Sequence, residues 1–218
     1  MSIEVHSVVT GPFQENSYLI IDPHSRNGVC VDPGDESQLI SNMIKDNDCT
    51  PVAIINTHAH LDHIGAVEEL KNEYSIPFYL NENEKMVLDS YEVTCQMFQM
   101  PVKSTPTVDR WISNESDLEF EGLTFKVMFT PGHTPGGTTF IIENHVFVGD
   151  TLFRGSVGRT DLPGGNWGVL EESLMRMIEE IPSNHIVHSG HGPETSIEKE
   201  RQENPFLIPL EKQLNSEL

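Results

Sequence analysis

Apolar and polar positions follow two rhythms along this chain. Short runs rich in β-branched residues, Ile3 to Val9, Tyr18 to Ile21 and Val29 to Val31, are separated by Gly11-Pro12 and by the polar stretch Asp22 to Gly28, and they predict three strands joined by turns. Leu39, Ile40, Met43 and Ile44 then recur at helical spacing and predict a helix over Glu36 to Lys45. A strand at Val52 to Ile55, a helix at Ala66 to Tyr74 and a short strand at Pro77 to Leu80 follow. Asn81 to Gln99 reads as helical, with Met86, Leu88, Met97, Phe98 and Met100 as its apolar members. Methionine fills irregular gaps, so this stripe predicts core packing, with Met97 or Met100 against a substrate as the alternative. Pro101 to Pro106 reads as a loop.

The second half repeats the order. Strands are predicted near Leu118 to Phe120, Leu123 to Phe129, Thr138 to Ile142 and His145 to Val148, a helix at Val169 to Ile181, and a last strand at Ile186-Val187. Strands interleaved with helices predict a layered α/β fold. The chain, 1–218, reads as one domain, in which 194–218 is a short helical tail interrupted by Pro205 and Pro209.

Composition narrows the function classes. The net charge is −21, from 13 Lys+Arg against 34 Asp+Glu. Nucleic-acid affinity comes from basic side chains, so this balance argues against such a partner, and equally against an anionic membrane surface. No run approaches the ~20 apolar residues of a membrane span, and the N-terminus lacks the basic and apolar regions of a signal peptide. Three cysteines, Cys30, Cys49 and Cys95, form neither a CxxC pair nor an even set. They predict free thiols in a reducing cytoplasm.

The candidate chemistry lies where strands run out. Directly after Pro51 to Ile55 comes Thr57-His58-Ala59-His60-Leu61-Asp62-His63. Burying that many polar groups without partners costs about 2–7 kcal/mol each, and a divalent cation compensates them together. His133 lies in Pro131-Gly132-His133-Thr134-Pro135, Asp150 follows Val148-Gly149, and His191 lies in Ser189-Gly190-His191-Gly192. His6, His24, His145 and His185 read as structural, and His188 as structural or as a support for a ligand.

The series HxHxDH, His, Asp, His resembles the metallo-β-lactamase superfamily over about Tyr18 to Gly192. The resemblance implies an αββα four-layer sandwich with a metal site at one edge. It implies one ion on His58, His60 and His133, a second on Asp62, His63 and His191, and Asp150 bridging both. Zinc is the first expectation for these two divalent ions, with iron or manganese as alternatives. Asp62 and Asp150 would be the catalytic carboxylates as well as ligands, with a hydroxide between the ions attacking a carbonyl. Asp32, in Val31-Asp32-Pro33-Gly34, would support a ligand histidine by hydrogen bonding; Thr57 and Thr134 are further candidates for steadying the loops.

The segment Gly149 to Asp161 narrows the resemblance to the glyoxalase II branch, which hydrolyses S-2-hydroxyacylglutathione. Arg159 falls where that branch places a glutathione-contacting base, with a salt bridge to Asp161 as its alternative, and Arg154 is a second candidate substrate contact. Asp161 replaces the aromatic residue common there, and the tail carries only Lys199, Arg201 and Lys212 as bases. The chain therefore resembles the short bacterial and archaeal members, acting on a small-molecule thioester. Two rivals share the fold: a mono-iron persulfide dioxygenase, using His58, His133 and Asp150, and a lactonase. A non-catalytic metal-binding protein is a third class.

Overall fold

A computed structural model describes residues 2–217, excepting the side chains of 215–217. Six strands form the first sheet: β1 (Glu4–Thr10), β2 (Glu15–Ile21), β3 (Asn27–Val31), β4 (Thr50–Ile55), β5 (Phe78–Asn81) and β6 (Arg110–Ile112), in that spatial order. β1, β2 and β3 pair antiparallel through tight turns, and β3 to β6 pair parallel. Parallel neighbours need crossovers. Those are α1 (Ser37–Asp46) between β3 and β4, then α2 (Leu61–Ile64) and α3 (Val67–Tyr74) between β4 and β5. Next, a 3₁₀ turn at Glu82–Glu84, α4 (Lys85–Asp89) and α5 (Tyr91–Met97) precede β6.

The second sheet also has six strands. It is built from β7 (Leu118–Phe120), β8 (Leu123–Phe129), β9 (Thr138–Ile142), β10 (His145–Gly149), and, after the small hairpin β11 (Leu152–Phe153) and β12 (Ser156–Val157) and helix α6 (Trp167–Glu180), β13 (Ile186–Ser189) and β14 (Thr195–Ser196). The spatial order is β14-β13-β10-β9-β8-β7. Two further helices, α7 (Ile197–Glu203) and α8 (Leu207–Glu217), complete the described chain.

Side-chain alternation sorts the apolar residues into three cores. Along β2, Leu19 and Ile21 face outward to meet Ile40, Ile44, Val67 and Leu70 of the helices, while Tyr18 and Ile20 face inward. The inward residues pack with Phe125, Phe140 and Phe147 of the second sheet. On that sheet's far side, Val146, Val148 and Val187 meet Leu170, Leu174, Met177, Ile197, Leu207 and Leu210. Both faces of β2 are covered, so all its residues are buried. Each fully buried Phe, Leu or Ile contributes about 1.5–3 kcal/mol. The result is helix, sheet, sheet, helix, the αββα sandwich.

The tail is part of the outer helical layer, since Ile197, Leu207 and Leu210 complete the third core. Of its two prolines, Pro205 separates α7 from α8. Pro209 lies in the first turn of α8, where a missing N–H breaks no helical bond. The stretch Asn81 to Gln99 differs more. It begins in β5 and breaks at Ser90, whose hydroxyl bonds the Val87 carbonyl while its own carbonyl accepts from Thr94. Its buried side is Val87, Leu88, Tyr91 and Cys95, whereas Met86, Met97 and Phe98 are exposed. The Met stripe is thus surface rather than core, except that Met100 packs partly against the first core. β6 has no hydrophobic signal because Arg110 and Trp111 at this edge face solvent. Cys30, Cys49 and Cys95 are unpaired thiols.

Candidate metal centre

The candidate ligands come from loops at one end of both sheets. β4 runs into residues 56–60 and α2, β8 into the turn before β9, β10 into Asp150, and β13 into His191. Three groups result, with ligand atoms within 4.8 Å of one another: His58, His60 and His133; Asp62, His63 and His191; and Asp32, His58 and His63.

Supporting bonds orient the imidazoles. Asp32 accepts from Thr57 N at 2.7 Å and Thr57 Oγ1 at 2.6 Å, and faces His63 Nδ1 at 3.0 Å. With its hydroxyl proton committed to Asp32, Thr57 Oγ1 accepts from His58 Nδ1 at 3.0 Å. His133 Nδ1 donates to the carbonyl of Arg159 at 2.7 Å. Each of these rings is thus held through Nδ1 and turns Nε2 toward the centre. Nε2 of His58 and of His63 is buried without a hydrogen-bond partner among the described residues, as is Asp150 Oδ1. Buried polar atoms rarely stay orphaned, so the donor set fits a cation. His60 turns its Nδ1 inward, 3.0 Å from His133 Nε2.

Asp150 lies between the groups. Oδ1 is 3.4 Å from His63 Nε2, and Oδ2 is 3.6 Å from His133 Nε2 and 3.5 Å from His191 Nε2. His191 Nε2 also faces Asp62 Oδ2 at 3.3 Å. Gly190 makes this approach possible: a Cβ there would stand 2.3 Å from Asp150 Oδ1 and 2.5 Å from His63 Cε1.

Burial and charge divide the histidines. Burial pushes His58 well below the usual imidazole value and His60 down to about 3, reinforced by neighbouring rings. Burial also opposes charge on His63 and His191, but Asp150 with Asp32 or Asp62 outweighs it. His63 is held well above its usual value and His191 at about 10. Asp150 is pushed well below the carboxylate range, because His63 and His191 overcome its burial.

Several supports carry no motif signal. Glu84 is fully buried; its Oε2 accepts from Ala59 N at 2.8 Å and its Oε1 from Gly136 N at 2.6 Å. It ties the His58–His60 loop to the His133 turn. A buried N–H left without a partner costs about 1–3 kcal/mol. Glu84→Ala is therefore expected to lower unfolding free energy by about 2–5 kcal/mol, read by urea denaturation of metal-free protein. A loss below about 1 kcal/mol would show that the loops hold without it. Asn16 clamps the His191 loop, donating from Nδ2 to Ser189 O at 3.0 Å and Gly192 O at 2.9 Å. Nothing in the sequence around Glu84 or Asn16 distinguishes them from surface residues; contacts across the fold do.

An open cleft of about 190 Å³ stands over the ligands, walled by Phe13, Leu61, Phe98, Leu162 and Arg159. Arg159 borders this cleft, but its guanidinium makes two 2.7 Å bonds to Asp161, and both side chains are mostly exposed. Arg154 is not brought to the cleft. The β11–β12 hairpin places Arg154-Gly155 at its exposed turn, and Arg154 is not among the described residues that line the cleft. Met97 is likewise absent from the lining. His188 is structural, stacked on Phe147 and 2.8 Å from His145.

Residues 10–182 match the sequence model of the metallo-beta-lactamase superfamily. The probable metallo-hydrolase YqgX of Bacillus subtilis is 38% identical over 90% of this chain and 94% of its own. Hydroxyacylglutathione hydrolase GloC of Haemophilus influenzae is 35% identical over 95% of this chain and 98% of its own. Among solved structures, the BLEG-1 B3 metallo-beta-lactamase superposes with a TM-score of 0.88 at 37% identity, covering 94% of this chain and 99% of its own. TTHA1623 in a di-iron-bound form gives 0.85 at 36% identity over 93% and 100%. ETHE1 from Myxococcus xanthus gives 0.78 at 26% identity over 97% and 91%.

Proposed function

Because the chain belongs to the metallo-beta-lactamase superfamily, a family of metallohydrolases, we propose that it is a dinuclear thioester hydrolase. Its substrate class is S-2-hydroxyacylglutathione, cleaved to a 2-hydroxy acid and the thiol. The observation that carries the dinuclear reading is the position of Asp150, whose carboxylate oxygens lie within 3.6 Å of His133 of one ligand group and of His63 and His191 of the other. His58, His60 and His133 would hold one ion, and Asp62, His63 and His191 the other. Zinc suits these nitrogen and oxygen donors; the di-iron form of a similar protein makes iron the metal to compare. When bound, such a pair supplies an acidified water and polarises the carbonyl.

The chain's own residues do the rest. Asp62 and Asp150 offer carboxylate oxygens that orient the attacking water. Phe13, Leu61 and Leu162 wall the cleft and reduce competing solvent. Water adds to the carbonyl carbon, the C–S bond breaks and the thiol sulfur takes the proton. The cleft itself favours a sulfur leaving group. Among its described lining residues, the one titratable side chain outside the proposed ligands is Arg159, which stays protonated. Outside those ligands, no described side chain there is placed to protonate an amine. A thiolate, with an ordinary pKa of about 8.5, leaves without such help. Likeness to GloC over nearly the whole chain supports the same substrate class. Arg159 would exchange Asp161 for a glutathione carboxylate. The unpaired thiols suit a cytoplasmic setting; the acidic charge argues against nucleic-acid and membrane partners.

The test is turnover of S-D-lactoylglutathione by protein reconstituted with zinc or with iron. Metal-dependent hydrolysis is expected, with KM raised about 10-fold and kcat held in Arg159→Gln, the size of one charge-assisted contact. No turnover with two ions bound would reject the substrate class. Oxygen consumption with glutathione persulfide by a one-iron form would move the assignment to a dioxygenase, and lactone hydrolysis would move it to a lactonase.

A further inference from the structure

A second cavity opens beside the cleft, and its far wall plays no part in the site described so far. Its walls come from the β1–β2 turn, α2, α5 and the loop after α5. Phe13, Leu61 and Asp62 line both spaces, so the cavity branches from the cleft directly beside a candidate ligand. Its far wall is Tyr91, Cys95 and Met100. Tyr91 and Cys95 are buried members of the first core, and Met100 packs partly against it. The charges at its edge cancel each other, Lys103 Nζ lying 2.6 Å from Asp35 Oδ1.

Resting on the thioesterase reading, we propose that this side cavity is the acyl subsite and that it selects a short, uncharged aliphatic acyl chain. The two arms of the site differ in polarity, and that difference sets the substrate's direction. Arg159, on the His133 side, is mostly exposed and charged, which suits a solvated anionic thiol carrier. The far wall of the Asp62 side is Tyr91, Cys95 and Met100 and is largely apolar, which suits a hydrocarbon group leaving water. Size sets the length. The cavity has a volume of about 100 Å³, less than the roughly 150 Å³ of an apolar cavity that admits benzene. A chain of about three to four carbons fits, and a ring or a longer chain does not. Met100 is the flexible member of the wall, so its side chain sets the depth.

Two experiments read this, one needing no turnover. Protein carrying ¹³C-methyl methionine is titrated with butyramide, a neutral four-carbon probe, and the Met100 signal is identified from its loss in Met100→Leu. The Met100 methyl is expected to shift saturably, while exposed Met97 stays fixed as an internal control. No Met100 shift, or equal shifts at both residues, overturns the subsite whether or not any thioester is hydrolysed. In the second experiment, kcat/KM is measured for acetyl, butyryl, hexanoyl and octanoyl thioesters of one thiol. The wild type is expected to peak at butyryl. Met100→Ala should raise hexanoyl turnover about 10-fold with acetyl unchanged, and Cys95→Leu should depress butyryl while sparing acetyl. Equal changes at every chain length overturn the assignment. Should no thioester turn over at all, the thioesterase reading fails and the methyl titration alone decides the cavity.

Discussion

Asp150→Asn is expected to lower turnover about 10³-fold in protein that folds normally. The amide matches the carboxylate in shape, so the backbone turn after β10 and the close approach of Gly190 are undisturbed. What changes is charge. Asp150 is the carboxylate that His63, His133 and His191 all face, within 3.4 to 3.6 Å. Asn offers one acceptor oxygen where two are used, and its NH₂ would point at imidazole nitrogens. The bond between the two ligand groups is thereby cut on one side. Removing a single preorganised electrostatic contact costs about 10²–10³ in rate, and losing a ligand adds occupancy to that loss. On the proposed dinuclear reading, metal content by elemental analysis should fall from two ions toward one, with unchanged circular dichroism. Two tightly held ions and full turnover in the variant would remove Asp150 from between the groups.

Asp32→Ala is expected to be the most destabilising single change near the site, at about 3–5 kcal/mol. Three donors converge on this carboxylate: Thr57 N, Thr57 Oγ1 and His63 Nδ1. All are buried, and each unsatisfied one costs about 1–3 kcal/mol. Asp32 also sits at φ 49°, where Asp is tolerated better than Ala. The loss should appear in the denaturant midpoint of metal-free protein. It should also appear as weaker metal binding, because His63 loses the bond that fixes its ring and His58 loses its ordered Thr57 partner. A variant with wild-type stability and two bound ions would show that the loop orders itself.

Much of this could be read from local pattern. Where the apolar run is long and flanked by turn residues, as at Tyr18 to Ile21 or Leu123 to Phe129, the strand forms as its sequence dictates. Burial on one or both faces leaves little choice of register. The candidate ligand residues are legible for a related reason. His58, His60, Asp62 and His63 sit within one loop, and so many polar groups at a strand end have few inexpensive explanations. Asp32, too, faces a candidate ligand histidine, with His63 Nδ1 at 3.0 Å.

Other features depended on partners remote in sequence. Met86 and Met97 carry the hydrophobicity of core residues, yet the break at Ser90 turns them outward, and Val87, Leu88, Tyr91 and Cys95 take the buried side. β6 and β14 are too short to announce themselves; pairing with β5 and β13 makes them strands. The two arginines of 154–159 look alike in sequence, but a tight hairpin carries Arg154 away while Arg159 borders the cleft and lends its carbonyl to His133.

By itself, then, the sequence determined the order of the main elements and the candidate ligand residues, because hydrophobic alternation and ligand chemistry act over a few residues. Tertiary structure decided which nitrogen of each imidazole faces inward, how Glu84 and Asn16 hold the loops, and where an apolar cavity opens beside Asp62. Those outcomes arise from side chains far apart in the chain, which meet when the two sheets pack and the helices close over them.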